Sequence, residues 1–336
     1  MGMLSARVVR ARGSEGRNVT NEGFRELGVA PASAWLDNAE VCQEAISAAT
    51  ALPCARKAEL ESFYTYLVVD EPIVQLMPAY FLPAWAEQAV QPESLRVLAV
   101  AAKLENARAR WIDEMVDDHE ASVSLVSSHG LNDAIVGLVN RCFRQVLPGE
   151  PGGRFFDRLA MLYARHSLSL VLDGKRWGSL DRPLMLADYE EHAKVRHSPV
   201  RAPLDALLSL LRADRDLWAR ATNAWHAWGI GAQLYDDALD VEEDFRRGDL
   251  TWTVGRTLDL FDGRVPKDAD EFYEVALREG VVAATLARAE VHFSRAAELA
   301  QIDFPRWASV QEGCRRQARE LRDDFERLLS PGGRER

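Results

Sequence analysis

The residues best suited to chemistry are two groups of carboxylates that lie far apart in the sequence. The first group includes Asp113, Glu114 and Asp117. In a helix, Asp113 and Asp117 lie one turn apart on the same face, where both can share a divalent cation. Acidic side chains near a helix C-terminus oppose the helix dipole and repel each other, so a positive group should offset them. A solvated acidic helix end is the alternative interpretation.

The second group is a longer row of carboxylates. Asp236, Asp240 and Asp244 are spaced four residues apart, so a helix stacks them along one side over two turns. Gln233 adds a further polar side chain one turn before the row. Asp237 lies one position away from the row, so we expect the loss of the Asp237 carboxylate to reduce turnover less than the loss of the Asp240 carboxylate. Between these acids stand apolar residues that can face a core: Leu234, Ala238 and Val241.

Both groups offer carboxylate oxygens, which are the ligands that Mg²⁺ prefers in proteins. The chain is acidic, with a formal net charge of −11, so an anionic substrate would need a bridging cation. The histidines show no zinc-binding spacing. We therefore predict a catalytic site for Mg²⁺, with Mn²⁺ as a substitute, held by Asp113, Glu114, Asp117, Asp236, Asp240 and Asp244.

Helices must position these residues, because apolar residues recur at helical spacing over most of the chain. We find no strand pattern of useful length. Proline and glycine clusters at 148–153 and 262–266 predict breaks between helices, and Pro78 and Pro83 predict a kink or split in the helix that contains them. The chain is expected to form one α-helical domain over residues 31–330 after a loose tail at 1–30. Predicted helices cover about 33–52, 55–69, 72–90, 92–120, 122–147, 154–173, 184–198, 203–212, 214–247, 252–261, 268–302 and 305–329.

Composition narrows the classes of partner. The net negative charge argues against nucleic acid and against an anionic membrane surface. No apolar run is long enough to span a bilayer, and the first residues lack the apolar core of a signal peptide. The four cysteines are scattered, which is typical of reduced thiols in a cytoplasmic protein. These features predict a cytoplasmic protein without stable membrane insertion. They are compatible with a homodimer.

The two acidic segments resemble motifs of the class I isoprenoid synthase superfamily. Residues 113–117 resemble its first aspartate-rich motif, and residues 233–240 resemble the second motif of trans-prenyltransferases. The run 240–248 is similar to a stretch of phytoene and squalene synthases. The resemblance covers about residues 90–260 and implies an antiparallel α-helical bundle around a central cavity. It also implies Mg²⁺-dependent ionisation of a prenyl diphosphate.

The resemblance implies basic or polar contacts to the diphosphate at five positions: Lys194, Arg196, Arg246, Arg247 and Gln233. Arg165 is a weaker candidate. Solvated surface cations are the alternative for Lys194 and Arg196, and offsetting of a helix dipole is the alternative for the arginine pair at 246–247. Aromatic rings could shield a carbocation or simply pack in a core. The candidates are Trp111, Phe143, Phe155, Phe156, Trp225, Trp228 and Trp252.

The chain departs from the elongating synthases in one respect that affects the expected reaction. No Arg-Arg-Gly follows the first motif, and the corresponding stretch reads Ser122-Val123-Ser124. In the family, that arginine pair is associated with the second, isopentenyl substrate. The first hypothesis is therefore a class I terpene synthase that cyclises farnesyl or geranylgeranyl diphosphate. The alternatives are a prenyltransferase, either head-to-head or chain-elongating, and a partner subunit without activity.

Overall fold

A computed structural model describes residues 38–52, 57–68, 72–117, 125–173 and 186–329. These residues form helices joined by turns, with no strand among them. Two short 3₁₀ helices, Ala84–Ala86 and Pro199–Arg201, accompany the α-helices. The α-helices in chain order are α1 Asn38–Thr50, α2 Lys57–Leu67, α3 Pro72–Gln75, α4 Met77–Tyr80, α5 Pro92–Asp117, α6 Leu125–Val146, α7 Glu150–Asp173, α8 Leu186–Arg196, α9 Ala202–Leu210, α10 Arg215–Arg247, α11 Trp252–Asp259, α12 Ala269–Arg278, α13 Val281–Ala300 and α14 Pro305–Leu329.

Most predicted helices are present, and the exceptions have local causes. The helix expected at 72–90 is divided into α3, α4 and a 3₁₀ turn, as Pro78 and Pro83 predicted. One continuous helix at 268–302 was wrong, because Gly280 takes a left-handed conformation, with φ at 74°, between α12 and α13. The break predicted at 148–153 is narrower, since α7 already begins at Glu150. The tail predicted at 1–30 lies outside the described residues.

Helix α10 carries the second acidic group and has a clear signal at each end. The Asp214 side chain accepts a hydrogen bond from the backbone of Leu217 at 2.8 Å, which caps the first turn. At the other end Gly248 is left-handed, with φ at 79°, and its N–H donates to the last turn. The Asp249 N–H also donates to the carbonyl oxygen of Asp244 at 2.8 Å. The acidic residues therefore occupy the last three turns of a long, well-terminated helix.

The neighbours of α10 come close to its backbone. Helix α13 packs along α10, and α14 packs along α13. A Cβ atom at Gly231 would lie 2.9 Å from Phe293 Cε1 and 3.3 Å from the carbonyl oxygen of Ala289, both on α13. A Cβ at Gly229 would lie 3.0 Å from the ring of His197. These glycines therefore permit close helix packing, since any larger side chain would push the neighbours away.

The apolar interior has two parts. The larger core surrounds α5, and a smaller one joins the C-terminal half of α10 to α11 and α12. Helix α5 is central, because every residue from Val97 to Ala109 is buried, including the charged Lys103, Glu105 and Arg108. Within the described residues, no helix combines the length and apolarity that crossing a membrane requires.

Candidate active site

The row of carboxylates on α10 borders the core. The intervening Leu234, Ala238 and Val241 are buried, as the sequence predicted. Asp236 is exposed, whereas Asp240 and Asp244 are half-buried. The row therefore passes from solvent toward the interior along the last three turns of the helix.

Asp244 lies in surroundings that disfavour its negative charge. Burial and, after it, the nearby carboxylates of Asp237, Asp240, Asp236 and Asp249 together raise the pKa of its carboxyl group to about 9. Each of these influences disfavours the ionised form. A cation at this end of α10 would allow Asp244 to ionise near neutral pH.

Asp237 has a different role from the row. Its carboxylate is buried and accepts hydrogen bonds from the Tyr189 hydroxyl of α8, from Gln233 Nε2 at 3.0 Å and from the backbone N–H of Trp252 at 3.2 Å. The last donor belongs to the first turn of α11, where a negative charge is favoured. Burial still raises the pKa of Asp237 to about 7, against the lowering effect of the Tyr189 and Gln233 hydrogen bonds.

These contacts bear on two sequence-based expectations, and both stay predictions. Asp237 was expected to matter less than Asp240, but it joins three helices at their point of contact. Gln233 was expected to contact the diphosphate, but it is buried and its side-chain nitrogen donates to Asp237. The sequence did not indicate Tyr189, which lies 48 positions from Asp237. It indicated Trp252 only as an aromatic ring, whereas the contact to Asp237 is made by the backbone N–H of Trp252.

The two first candidates for diphosphate contact lie on different sides of α8. Arg196 is close enough to lower the pKa values of Asp237 and of Tyr189. Lys194 forms an ion pair with the exposed Glu191 one turn earlier. Arg196 is therefore the candidate on α8 that lies near the carboxylates of α10.

The arginines at the end of α10 have partners on their own helix. Arg246 pairs with Glu242, and Arg247 Nη2 lies 2.6 Å from Glu243 Oε1. Both guanidinium groups remain about half exposed. This arrangement fits cations that offset the dipole at a helix C-terminus, and it leaves the groups accessible to solvent. Arg165 is exposed on α7 and lies near His226, upstream of the acidic row.

The first acidic group ends α5, which runs to Asp117. The side chains of Asp113, Glu114 and Asp117 lie outside the described part of the structure, so their apposition to α10 stays a prediction. Among the side chains that are described, no three His, Cys, Asp or Glu converge to hold a metal ion by themselves. A cation site on α10 would therefore need further oxygens, from α5 or from a ligand.

The donor set on α10 nevertheless fits a hard divalent cation. Asp236, Asp240 and Asp244 supply carboxylate oxygens, and such ligands suit Mg²⁺, Ca²⁺ and Mn²⁺. The crowding of negative charge around Asp244 gives a physical reason for a cation there. These residues would hold part of the coordination shell, with the remaining positions left for water and substrate oxygens.

The aromatic candidates form part of the packed interior. Trp225 lies 4.4 Å from Trp228 and 5.8 Å from Trp307, measured between ring centroids. Phe143 and Phe155 meet edge to face at 4.8 Å. The remaining candidates also contact other rings or cations: Trp111 contacts Phe63, Phe156 contacts Arg144, and Trp252 contacts Tyr189. Sequence reasoning missed Trp307, which closes the tryptophan cluster from α14.

The central helix also carries a buried polar network that sequence reasoning missed. Arg108 Nε lies 3.0 Å from Glu105 Oε2, and Arg108 Nη1 lies 3.1 Å from Asn132 Oδ1 of α6. The Tyr163 hydroxyl of α7 donates to the same Glu105. The signal was present in the sequence, because charged residues interrupt the apolar pattern of α5 just before the first acidic group. The network joins α5, α6 and α7 on the N-terminal side of that group.

Comparisons with known proteins agree with the fold. No family model matches the sequence, and no curated protein matches it. The structure is similar to a polyprenyl synthase from Caulobacter crescentus CB15 complexed with calcium and isoprenyl diphosphate, with a TM-score of 0.66 and 17% identity over 83% of this chain and 94% of that one. It is also similar to a geranylgeranyl pyrophosphate synthetase from Pyrococcus horikoshii Ot3, with a TM-score of 0.65 and 14% identity over 89% and 99% of the two chains.

A geranylgeranyl pyrophosphate synthetase from the archaeon Geoglobus acetivorans gives a TM-score of 0.61 and 15% identity over 85% of this chain and 99% of that one. The chain therefore has the all-α isoprenoid synthase fold. This confirms the fold class that the acidic motifs and the helical periodicity predicted. The identities are low, so the similarity establishes the fold and leaves the reaction to the residues of the site.

Proposed function

We propose that this protein is a divalent-metal-dependent enzyme that ionises a prenyl diphosphate. The observation that carries the proposal is the acidic row of α10 within an isoprenoid synthase fold. Asp244 lies among like charges that keep its carboxyl group protonated near neutral pH, and a bound cation would favour the ionised form. The solved polyprenyl synthase that binds calcium and isoprenyl diphosphate supports the same type of ligand.

In this proposal, each residue of the site has its own role in the ionisation. Asp236, Asp240 and Asp244 would hold the cation, and the first acidic group of α5 would supply further oxygens. Arg196 contributes positive charge beside the departing diphosphate. Asp237 orients α10 through its contacts with α8 and α11. When bound, a divalent cation supplies the positive charge that neutralises the diphosphate oxygens as the C–O bond breaks.

Prenyl transfer is the leading reaction class. The similar solved structures named above are polyprenyl or geranylgeranyl diphosphate synthases, which favours transfer over the cyclisation that the sequence first suggested. Cyclisation is the second candidate, because Ser122-Val123-Ser124 replaces the arginine pair associated with the isopentenyl substrate. Both classes share the ionisation step and differ in what captures the carbocation.

One set of incubations separates these reactions. The protein is mixed with Mg²⁺ and geranyl, farnesyl or geranylgeranyl diphosphate, with and without isopentenyl diphosphate. A longer prenyl diphosphate that contains labelled isopentenyl units establishes elongation, and a dimeric product from one allylic substrate establishes head-to-head transfer. A hydrocarbon formed without isopentenyl diphosphate establishes cyclisation or elimination.

Matched variants show whether the acidic row of α10 is responsible for diphosphate release. Asp240→Asn should slow diphosphate release about a hundredfold, whereas Asp216→Asn, in the exposed first turn of the same helix, should not. Absence of turnover with every substrate and metal would reject the enzyme and leave the inactive partner subunit. Full turnover in excess chelator would reject the role of the metal.

A further inference from the structure

Helix α8 carries Arg196, the basic candidate near the acidic row, and contacts the rest of the bundle on several sides. Tyr189 donates to Asp237 of α10. His166 Nδ1 of α7 lies 3.1 Å from the carbonyl oxygen of Arg196, at the end of α8. A further contact is made by Glu190, which has no part in the chemistry described above.

Glu190 joins α8 to α13 through one carboxylate oxygen. Its Oε1 lies 3.3 Å from both Nε and Nη2 of Arg288 and 3.1 Å from Nε2 of His292. Arg288 and His292 are four residues apart on α13, so they lie on the same face in adjacent turns. Burial lowers the pKa of His292 below its ordinary value, so the ring is neutral near neutral pH and its Nε2–H donates to Glu190.

Partial burial distinguishes this contact from an ordinary surface ion pair. The side chains of Glu190 and His292 are 21% and 16% exposed. In the Arg295–Glu298 pair on the same helix α13, the two side chains are 61% and 62% exposed. Partly buried charges are screened less by solvent than exposed ones, so the Glu190 contact restrains α8 more than a surface pair would.

Helical geometry shows which motion of α8 the contact restrains. At about 100° per residue, Tyr189 and Arg196 lie within roughly 20° of each other around the helix axis, and Glu190 lies about 120° from Arg196. Helix α13 packs along α10, so Glu190 attaches α8 to the pair of helices that carries the acidic row. A rotation of α8 that moved Arg196 away from Asp237 would therefore also break the contact of Glu190 with α13.

We propose that Glu190 is a positioning residue for the ionisation reaction. Its contact with Arg288 and His292 holds α8 in the orientation that places Arg196 beside the diphosphate of the substrate. The inference rests on the proposed function, because it concerns the substrate contact assigned there to Arg196. The diphosphate is already anionic in the bound substrate, so most of this contact is made before the C–O bond breaks. Loss of Glu190 should therefore weaken substrate binding more than it slows the chemical step.

Steady-state kinetics of the full chain, with Mg²⁺ and the prenyl diphosphate that the wild type turns over, test this role. Glu190→Ala should raise KM about tenfold and change kcat by less than about twofold. Glu190→Gln keeps an acceptor oxygen for Arg288 and His292, so its KM should stay within about twofold of the wild-type value. Glu298→Ala, which removes the exposed ion pair on α13, is the matched control and should leave both constants unchanged.

A double variant separates positioning from a general loss of stability. If Glu190 acts through Arg196, Glu190→Ala should add little to the KM of Arg196→Ala, because the contact that Glu190 positions is already absent. If Glu190→Ala does not fold, as judged by circular dichroism, Arg288→Ala takes its place. Arg288 is about half exposed, and its substitution removes two of the three donors to Glu190 and should also raise KM.

Two outcomes would overturn the positioning role alone. One is an unchanged KM in Glu190→Ala, or in Arg288→Ala where it takes that place. The other is a KM in the double variant that equals the product of the two separate effects. Absence of turnover by the wild type would reject the proposed function and the positioning role with it, so the wild type alone distinguishes the two failures.

Discussion

The contacts of Asp237 lead to a prediction about folding that differs from the behaviour of its acidic neighbours. Asp237→Ala removes the acceptor of three buried hydrogen bonds, from Tyr189, Gln233 and the backbone of Trp252. The three donors belong to α8, α10 and α11, so the variant leaves an unsatisfied group on each of them. We expect a less stable protein in which the acidic row is less firmly held.

The size of the effect follows from the contacts. Each buried donor left without a partner costs about 1 kcal/mol or more, so Asp237→Ala should lower the free energy of unfolding by about 3 kcal/mol. At roughly 2 °C per kcal/mol for a chain of this size, the melting temperature falls by about 6 °C. Tyr189→Phe removes one donor and leaves the other two bonds intact. It should cost about 1 kcal/mol, since one of the three hydrogen bonds is lost.

Thermal and urea unfolding, followed by circular dichroism, measure these changes. Asp236→Asn is the matched control, because Asp236 is adjacent in sequence but exposed. Its substitution removes a repulsive charge and should leave stability unchanged or slightly higher. If Asp237→Ala and Asp236→Asn have equal and small effects on unfolding, the hydrogen-bonded role of Asp237 is refuted.

Four further outcomes are expected. Asp240→Asn should leave the melting temperature unchanged or raise it and reduce turnover about a hundredfold, as product assays would show. Without metal, the free energy of unfolding should fall as pH rises from about 4 to about 9, because the pKa of Asp244 is raised to about 9 in the folded state and the unfolded chain has already lost that proton. Added Mg²⁺ should reduce this fall, and a pH profile unaffected by Mg²⁺ would argue against metal binding. Gly231→Ala should lower the melting temperature, because its Cβ would collide with Phe293. Chelation should abolish product formation while circular dichroism stays unchanged.

The helices were predictable because their determinants are local. Apolar periodicity located α5, α10 and α14, and the break at Gly248 agrees with the predicted end of α10. The sequence did not predict the division between α12 and α13, because many helices tolerate a single glycine in their interior. Gly280 separates these two helices because its backbone takes a left-handed conformation.

For the site, the sequence was enough to place Asp236, Asp240 and Asp244 on one side of a helix, since four-residue spacing and helical geometry suffice for that inference. It set Asp237 apart from this row by position, but it could not identify the hydrogen-bonded role of Asp237. Only the tertiary structure brought Tyr189 and the N-terminus of α11 to Asp237, and only packing buried Asp244 among other carboxylates. Side-chain direction along one helix is a local property, whereas burial and hydrogen-bond partners depend on segments that are distant in sequence.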